Sequence, residues 1–132
     1  MLQVMGGTIV CDVTDRLAGG SAAEFAAAIA ARLGLRVVFV SVGRGARPEL
    51  AEDAELRIVP GDHAEAVARV AAEEGADLLV VGARPSGLGG RHLRWRLARE
   101  LEAATPVPVL VAPPSTRRRS SRRLAAAASN PR

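Results

Sequence analysis

Residues that could bind an anion or a nucleotide follow three of the predicted strands. Asp12 ends the first strand, Val42 ends the second, and Gly82 ends the fourth. In open α/β sheets, ligands bind beyond the carboxyl ends of the strands, at the point where the strand order reverses. We therefore expect these residues to share one edge of a sheet and to form the candidate site.

A glycine-rich loop lies between the fourth strand and the last helix, and Gly87, Gly89 and Gly90 belong to it. Such a loop offers unpaired N–H groups and the positive end of a helix dipole to an anion. Arg96 could bind a phosphate through two hydrogen bonds. Further positive charge would come from Arg84, Arg91 and Arg94.

Each candidate residue also has a structural interpretation. Asp12 could cap the turn into the first helix, and the glycines could simply turn the chain. His63, at a helix start, is interpreted as a solvated or capping side chain, and His92 lacks a partner nucleophile and acid. The only cysteine, Cys11, lies in an apolar strand. We therefore predict no catalytic residue and no metal site.

Apolar patterning predicts five strands that alternate with helices. The first helix is predicted to begin at Ser21, three residues before Glu24, and the second is capped by Asp62 with Glu65. Such alternation is typical of a parallel sheet with helices on both faces. The second connection leaves room for only a turn or two of helix. The predicted strands are residues 8–12, 36–42, 55–59, 77–82 and 107–111.

Length and charge predict one domain, residues 1–114, followed by a basic, disordered tail, residues 115–132. All 18 basic residues of the 132 are arginine, against 14 acidic ones, and the tail holds six of these arginines and no acid. The rest therefore has 12 arginines and 14 acids, a net charge of −2. Nucleic acid or an acidic partner could bind the tail through its arginines.

The composition of the sequence argues against base stacking on nucleic acid, membrane contact and export for this protein. With one Trp, two Phe and no Tyr, the domain has few rings to stack on nucleic-acid bases. The sequence has no apolar run of membrane-spanning length and no signal-peptide pattern. Together with the single cysteine, these features predict a cytoplasmic protein that does not contact membranes.

Three segments, within roughly residues 8–112, resemble the universal stress protein family in order and spacing. They are Gly61-Asp62-His63-Ala64-Glu65-Ala66, Ala76-Asp77-Leu78-Leu79-Val80-Val81-Gly82 and Pro108-Val109-Leu110-Val111. The resemblance implies a Rossmann-like fold of the adenine-nucleotide alpha-hydrolase type, with a five-stranded parallel sheet of order 3-2-1-4-5. It also implies a homodimer paired through the last strand, here predicted to start at Val107 and end at Val111.

The resemblance assigns roles to the candidate site residues. Asp12 matches the acid that contacts adenine in ATP-binding members, and a backbone contact would fall near Val42. Together with the loop glycines and Arg96 inferred above from their chemistry, the predicted ligand-binding residues are Asp12, Val42, Gly82, Gly87, Gly89, Gly90 and Arg96.

The phosphate and ribose loop departs from the pattern of ATP-binding members. That pattern reads Gly, two residues, Gly, nine residues, Gly, then Ser or Thr. Counted from Gly82, the later positions hold Pro85, Trp95 and Arg96. Proline has no N–H donor and a fixed φ, the indole fills space that glycine leaves open, and arginine replaces a short hydroxyl.

These observations predict a non-enzymatic, dimeric stress-response module with a degenerate ATP-binding loop and no bound cofactor. It would signal through partner contacts or through a small anionic ligand. One alternative is a nucleotide-dependent switch that binds ATP with Mg²⁺. Another is binding of nucleic acid or an acidic partner through the arginine-rich tail.

Overall fold

A computed structural model describes residues 6–43, 50–83 and 90–113, without the side chains of residues 16, 17 and 90–95. The predicted tail, residues 115–132, lies outside the described residues, as do Pro85, Gly87 and Gly89. Within the described part, no helix is both long enough and apolar enough to cross a membrane.

Five parallel strands form one sheet in the order β3-β2-β1-β4-β5, as predicted. The strands are β1 (Thr8–Asp12), β2 (Arg36–Val42), β3 (Glu55–Val59), β4 (Leu78–Gly82) and β5 (Val109–Ala112). The helices are α1 (Arg16–Leu33), α2 (His63–Glu74) and α3 (Gly90–Ala104). In the connection from β2 to β3, residues 50–54 form a turn rather than a helix, with the Ala54 N–H bonded to the Ala51 carbonyl at 3.0 Å.

Aliphatic side chains fill both faces of the sheet. Helix α1 packs on one face, where Ile9, Phe39 and Val80 are buried together. Helices α2 and α3 pack on the other face, around Val10 and Leu101. Because the central strands are covered on both faces, their sequences are continuously apolar, as expected of a parallel sheet.

Helix α1 begins before the predicted Ser21, so the proposed capping box there is wrong. Asp15 caps the helix instead, because its Oδ1 accepts the Ala18 N–H at 3.0 Å. The Ser21 hydroxyl lies inside the helix and donates to the Ala18 carbonyl at 3.0 Å. Side chains at both positions could cap a helix, and tertiary packing selects the earlier one.

Two glycines let α1 approach the sheet closely. A Cβ on Gly19 would lie 2.8 Å from the Val13 carbonyl oxygen. A Cβ on Gly82 would overlap the Ala18 carbonyl group. Gly82 therefore has a packing role at the end of β4, whether or not a ligand binds nearby.

Strand β5 begins at Val109, two residues after the predicted start. The Val107 N–H donates to the Thr105 hydroxyl at 3.2 Å, which forms a turn before the strand. Pro106 and Pro108 have no N–H to donate to a ladder. Pro108 still contributes its carbonyl, which accepts the Leu79 N–H at 2.9 Å.

Ion pairs join β2, β3 and α2 at the amino edge of the sheet. Arg36 contacts Glu55 at 2.7 Å and Glu74 at 3.1 Å. Arg57 contacts Glu73 at 2.7 Å and Glu74 at 3.2 Å. Exposed pairs of this kind add little to stability, but they make β3 a charged edge strand.

We expect Gly82→Ala to destabilise the fold by about 1–3 kcal/mol, because the added methyl group forces α1 away from β4. Gly20→Ala is the matched control, since no atom lies within 4 Å of its added Cβ. Within a helix that control should gain about 0.5–1 kcal/mol. Urea denaturation of both variants measures the difference, and equal stabilities would contradict this packing.

Candidate functional site

A buried acid lies at the carboxyl edge of the sheet. Asp12 ends β1, the central strand, and is 5% exposed. Its Oδ1 accepts the Thr14 N–H at 3.1 Å and the Thr14 hydroxyl at 2.6 Å. Its Oδ2 lies 2.7 Å from Nε2 of His63. Each oxygen of this carboxylate therefore has a partner from the chain itself, as burial of a charged group requires.

Thr14 connects Asp12 to the end of β2. Its hydroxyl group accepts a hydrogen bond from the Val42 N–H at 2.9 Å and donates one to Asp12. The chain stays alongside β2 because the Val13 N–H also donates to the Val40 carbonyl at 2.9 Å. Asp12 and Val42, both predicted as adenine contacts, thus belong to one hydrogen-bond network that already uses the Val42 N–H.

His63 reaches Asp12 because of the path of α2. This helix connects β3 to β4, which lie on opposite sides of β1 in the sheet, and it packs against β2 and β1. The Asp62 side chain caps the helix by accepting the Glu65 N–H at 3.3 Å, as the sequence predicted. The side chain of His63 is 37% exposed and the side chain of Asp12 is 4% exposed, so His63 is the solvent-facing partner.

The surroundings of His63 favour its protonated form. The hydrogen bond to Asp12 is the main cause of a raised pKa, and the charges of Asp12, Asp62 and Glu100 add to it. Partial burial acts in the opposite direction. The imidazole therefore holds its proton to higher pH than an ordinary histidine, and the pair with Asp12 is ionic while it does.

The remaining predicted site residues lie on two other elements. Gly82 ends β4 at the same edge, and Gly90 is the first residue of α3. Arg96 is mostly exposed, and its Nε lies 3.4 Å from Glu100. Arg96 is thus one helical turn before the carboxylate whose charge acts on His63.

The described residues of this edge do not include a nucleophile paired with a base. The Thr14 hydroxyl donates to Asp12, and no nucleophile is hydrogen-bonded to His63 among the described residues. No group of three metal-ligating side chains occurs in that part of the chain. Cys11 is fully buried, and burial together with Asp12 raises the pKa of its thiol.

The sequence analysis missed the roles of His63 and Thr14. There His63 was interpreted as a solvated or capping residue, and Thr14 was given no role. The available signal was topological. The connection from the third strand to the fourth crosses the first strand, so the helix in that connection can begin near the end of the first strand. That path places a helix-initiating histidine beside the acid of β1.

Comparisons with known proteins agree with this fold. Eighteen chains of solved structures match, among them the crystal structure of a universal stress protein in complex with cAMP. The two share 23% sequence identity with a TM-score of 0.62, and the match covers 83% of this chain and 98% of the other. No curated protein matches the sequence.

The model of the universal stress protein family matches residues 43–113, which is more than half of the 132 residues. The matched region runs from the end of β2 through β5 and includes His63 and the α2 cap. The sheet order and the matched segments therefore lead to the same assignment, and the chain belongs to the universal stress protein family.

Proposed function

We propose that this chain is a non-enzymatic, dimeric stress-response module that acts through protein contacts or a small anionic ligand. The observation that carries this proposal is the state of the Asp12 carboxylate. Its oxygens are bonded to Thr14 and His63, so the acid has no free oxygen with which to activate a hydroxyl or a water molecule, and no described hydroxyl is bonded to the imidazole.

The sequence of the phosphate loop supports the same proposal. Pro85, Trp95 and Arg96 stand where ATP-binding members have two glycines and a hydroxyl residue. Gly82, the glycine that remains, is also required for the contact between β4 and α1. Its presence therefore does not argue for a bound phosphate.

The two edge strands differ in a way that favours pairing of two copies through β5. The strand β3 carries Glu55 and Arg57, both in ion pairs, and charged residues discourage pairing at a sheet edge. Strand β5 reads Val-Leu-Val-Ala, and its first three residues are half-buried. A second copy across a two-fold axis would cover these apolar side chains.

The hydrogen bonds of β5 identify the backbone groups available to a second copy. The carbonyls of Pro108 and Ala112 accept N–H groups of Leu79 and Ala83, at 2.9 and 3.1 Å. Because backbone groups alternate along a strand, the N–H groups of Val109 and Val111 point away from β4. These are the donors that a partner strand would use.

We therefore expect Val111→Pro to convert the dimer into a monomer, because proline removes an outward donor without removing a bond to β4. Val111→Thr is the matched control, since it keeps the N–H and should remain dimeric. Multi-angle light scattering at micromolar protein measures the mass, and circular dichroism checks the fold. A dimer that persists in a folded Val111→Pro variant would argue against pairing through this strand.

A nucleotide-dependent switch is the second candidate function. It is favoured by the position of Asp12 and Val42, which the hydrogen-bond network brings together at the carboxyl edge of the sheet. It is also favoured by the related structure of a universal stress protein in complex with cAMP. The carboxylate of Asp12 could accept a hydrogen bond from the amino group of adenine.

Calorimetric titration with cAMP, cGMP and Mg-ATP distinguishes the two candidates. The switch predicts that cAMP binds more tightly than cGMP, because guanine has a carbonyl oxygen where adenine offers an amino donor to Asp12. Tighter binding of Mg-ATP than of cAMP would indicate that the loop still holds a triphosphate despite its replaced residues, as the switch that binds ATP with Mg²⁺ requires. The module without a nucleotide predicts no binding of any of the three, and equal binding of cAMP and cGMP would contradict recognition by Asp12.

A further inference from the structure

The access of a ligand to Asp12 depends on one side chain. Oδ1 of this carboxylate is held by two groups of Thr14, which belongs to the turn directly after β1. Oδ2 is held by the His63 imidazole, which comes from a different element and is partly exposed. Of the two partners, His63 is the one that can leave by a side-chain rotation without disturbing β1 or β2.

Movement of the His63 imidazole away from Asp12 is unfavourable, and this determines which ligands can replace it. A buried carboxylate oxygen without a donor is unfavourable, so His63 moves out at low cost only if another hydrogen-bond donor replaces it. The amino group of an adenine base is such a donor. A ligand without a hydrogen-bond donor at this position would leave Oδ2 unpaired.

We propose that His63 competes with the amino group of an adenine base for Oδ2 of Asp12, so that the base binds only when the imidazole moves out. This inference rests on the nucleotide-binding candidate described above. His63 is then a residue that controls ligand access, and it does not itself hold the ligand.

The charges around His63 give this competition a pH dependence. Facing groups are Asp12 on β1, Asp62 before α2 and Glu100 on α3, and the last is paired with Arg96. They raise the pKa of the paired imidazole above its ordinary value near 6.5. An imidazole released to solvent returns toward that value, so binding expels a proton at pH values between the two pKa values.

The difference between the pKa of the paired imidazole and that of the released imidazole sets the direction of the pH dependence. Below the ordinary pKa the imidazole is charged in both states, and the ionic contact with Asp12 opposes the ligand most strongly. As the pH rises through the raised pKa, the paired imidazole becomes neutral and this opposition weakens. The affinity for the base should therefore increase with pH across the window and be constant on either side of it.

The experiment titrates the full chain with cAMP between about pH 6 and about pH 9, a range that brackets histidine titration. The phosphodiester of cAMP does not titrate there, so the ligand contributes no pH dependence of its own. We expect the affinity to rise with pH and a proton to be released on binding, measured calorimetrically in buffers of different ionisation enthalpy. The NMR pKa of His63 should fall toward its ordinary value when cAMP saturates the protein.

Three variants separate competition from other roles. His63→Ala should bind cAMP about tenfold more tightly than the wild type near pH 6, because it removes a charged hydrogen bond that the ligand must break. His63→Gln keeps an N–H donor without a titrating group, so its affinity should not vary with pH. The only other histidine provides the matched control, and His92→Gln should keep the wild-type pH dependence.

The outcomes that overturn the proposal are distinct. Weaker binding of cAMP by His63→Ala would mean that the imidazole contacts the ligand, and binding by the wild type without a pH dependence would exclude competition. Loss of the pH dependence in His92→Gln would assign the effect to the other histidine. Absence of binding in the wild type and all three variants would overturn the nucleotide-binding candidate together with this inference.

Discussion

The structure of the carboxyl edge depends on the requirement that a buried carboxylate be fully hydrogen-bonded. Asp12 ends the central strand under almost complete burial, so its partners must come from the protein. Thr14, in the following turn, donates hydrogen bonds to Asp12 and accepts one from β2. His63 donates a hydrogen bond to Asp12 from α2. One carboxylate thereby fixes where the first turn, the second strand and the crossover helix meet.

Local patterning was sufficient to predict the strands, while their order in the sheet came from the family resemblance. Patterning failed where tertiary contacts decide a boundary. The continuous aliphatic strands could be placed because burial on both faces leaves little room for polar residues. The start of α1 was misplaced because Ser21 and Asp15 are both good caps. The close contact of Gly19 with Val13, the residue after β1, is invisible in a linear sequence, where Gly19-Gly20 is typical of a turn.

The candidate site was predicted in part. Topology alone places Asp12, Val42 and Gly82 at one edge, and the structure has them there. The pairing of Asp12 with His63 joins residues that are 51 positions apart, and no short-range pattern encodes it. Gly82 illustrates the opposite problem, because a residue predicted from a ligand-binding motif also has a packing reason to be glycine. The loop glycines at 87 and 89 lie outside the described residues, so their role stays a prediction.

The environment of Cys11 protects its thiol from chemical modification in the folded protein. Oxidants and alkylating reagents attack the thiolate, and this sulfur atom is enclosed in the core and held in its protonated form by burial and by its acidic neighbour. It is also the only cysteine in the sequence. Reagents that modify thiols therefore meet this sulfur atom only when unfolding exposes β1, so modification of Cys11 would report that the sheet has opened.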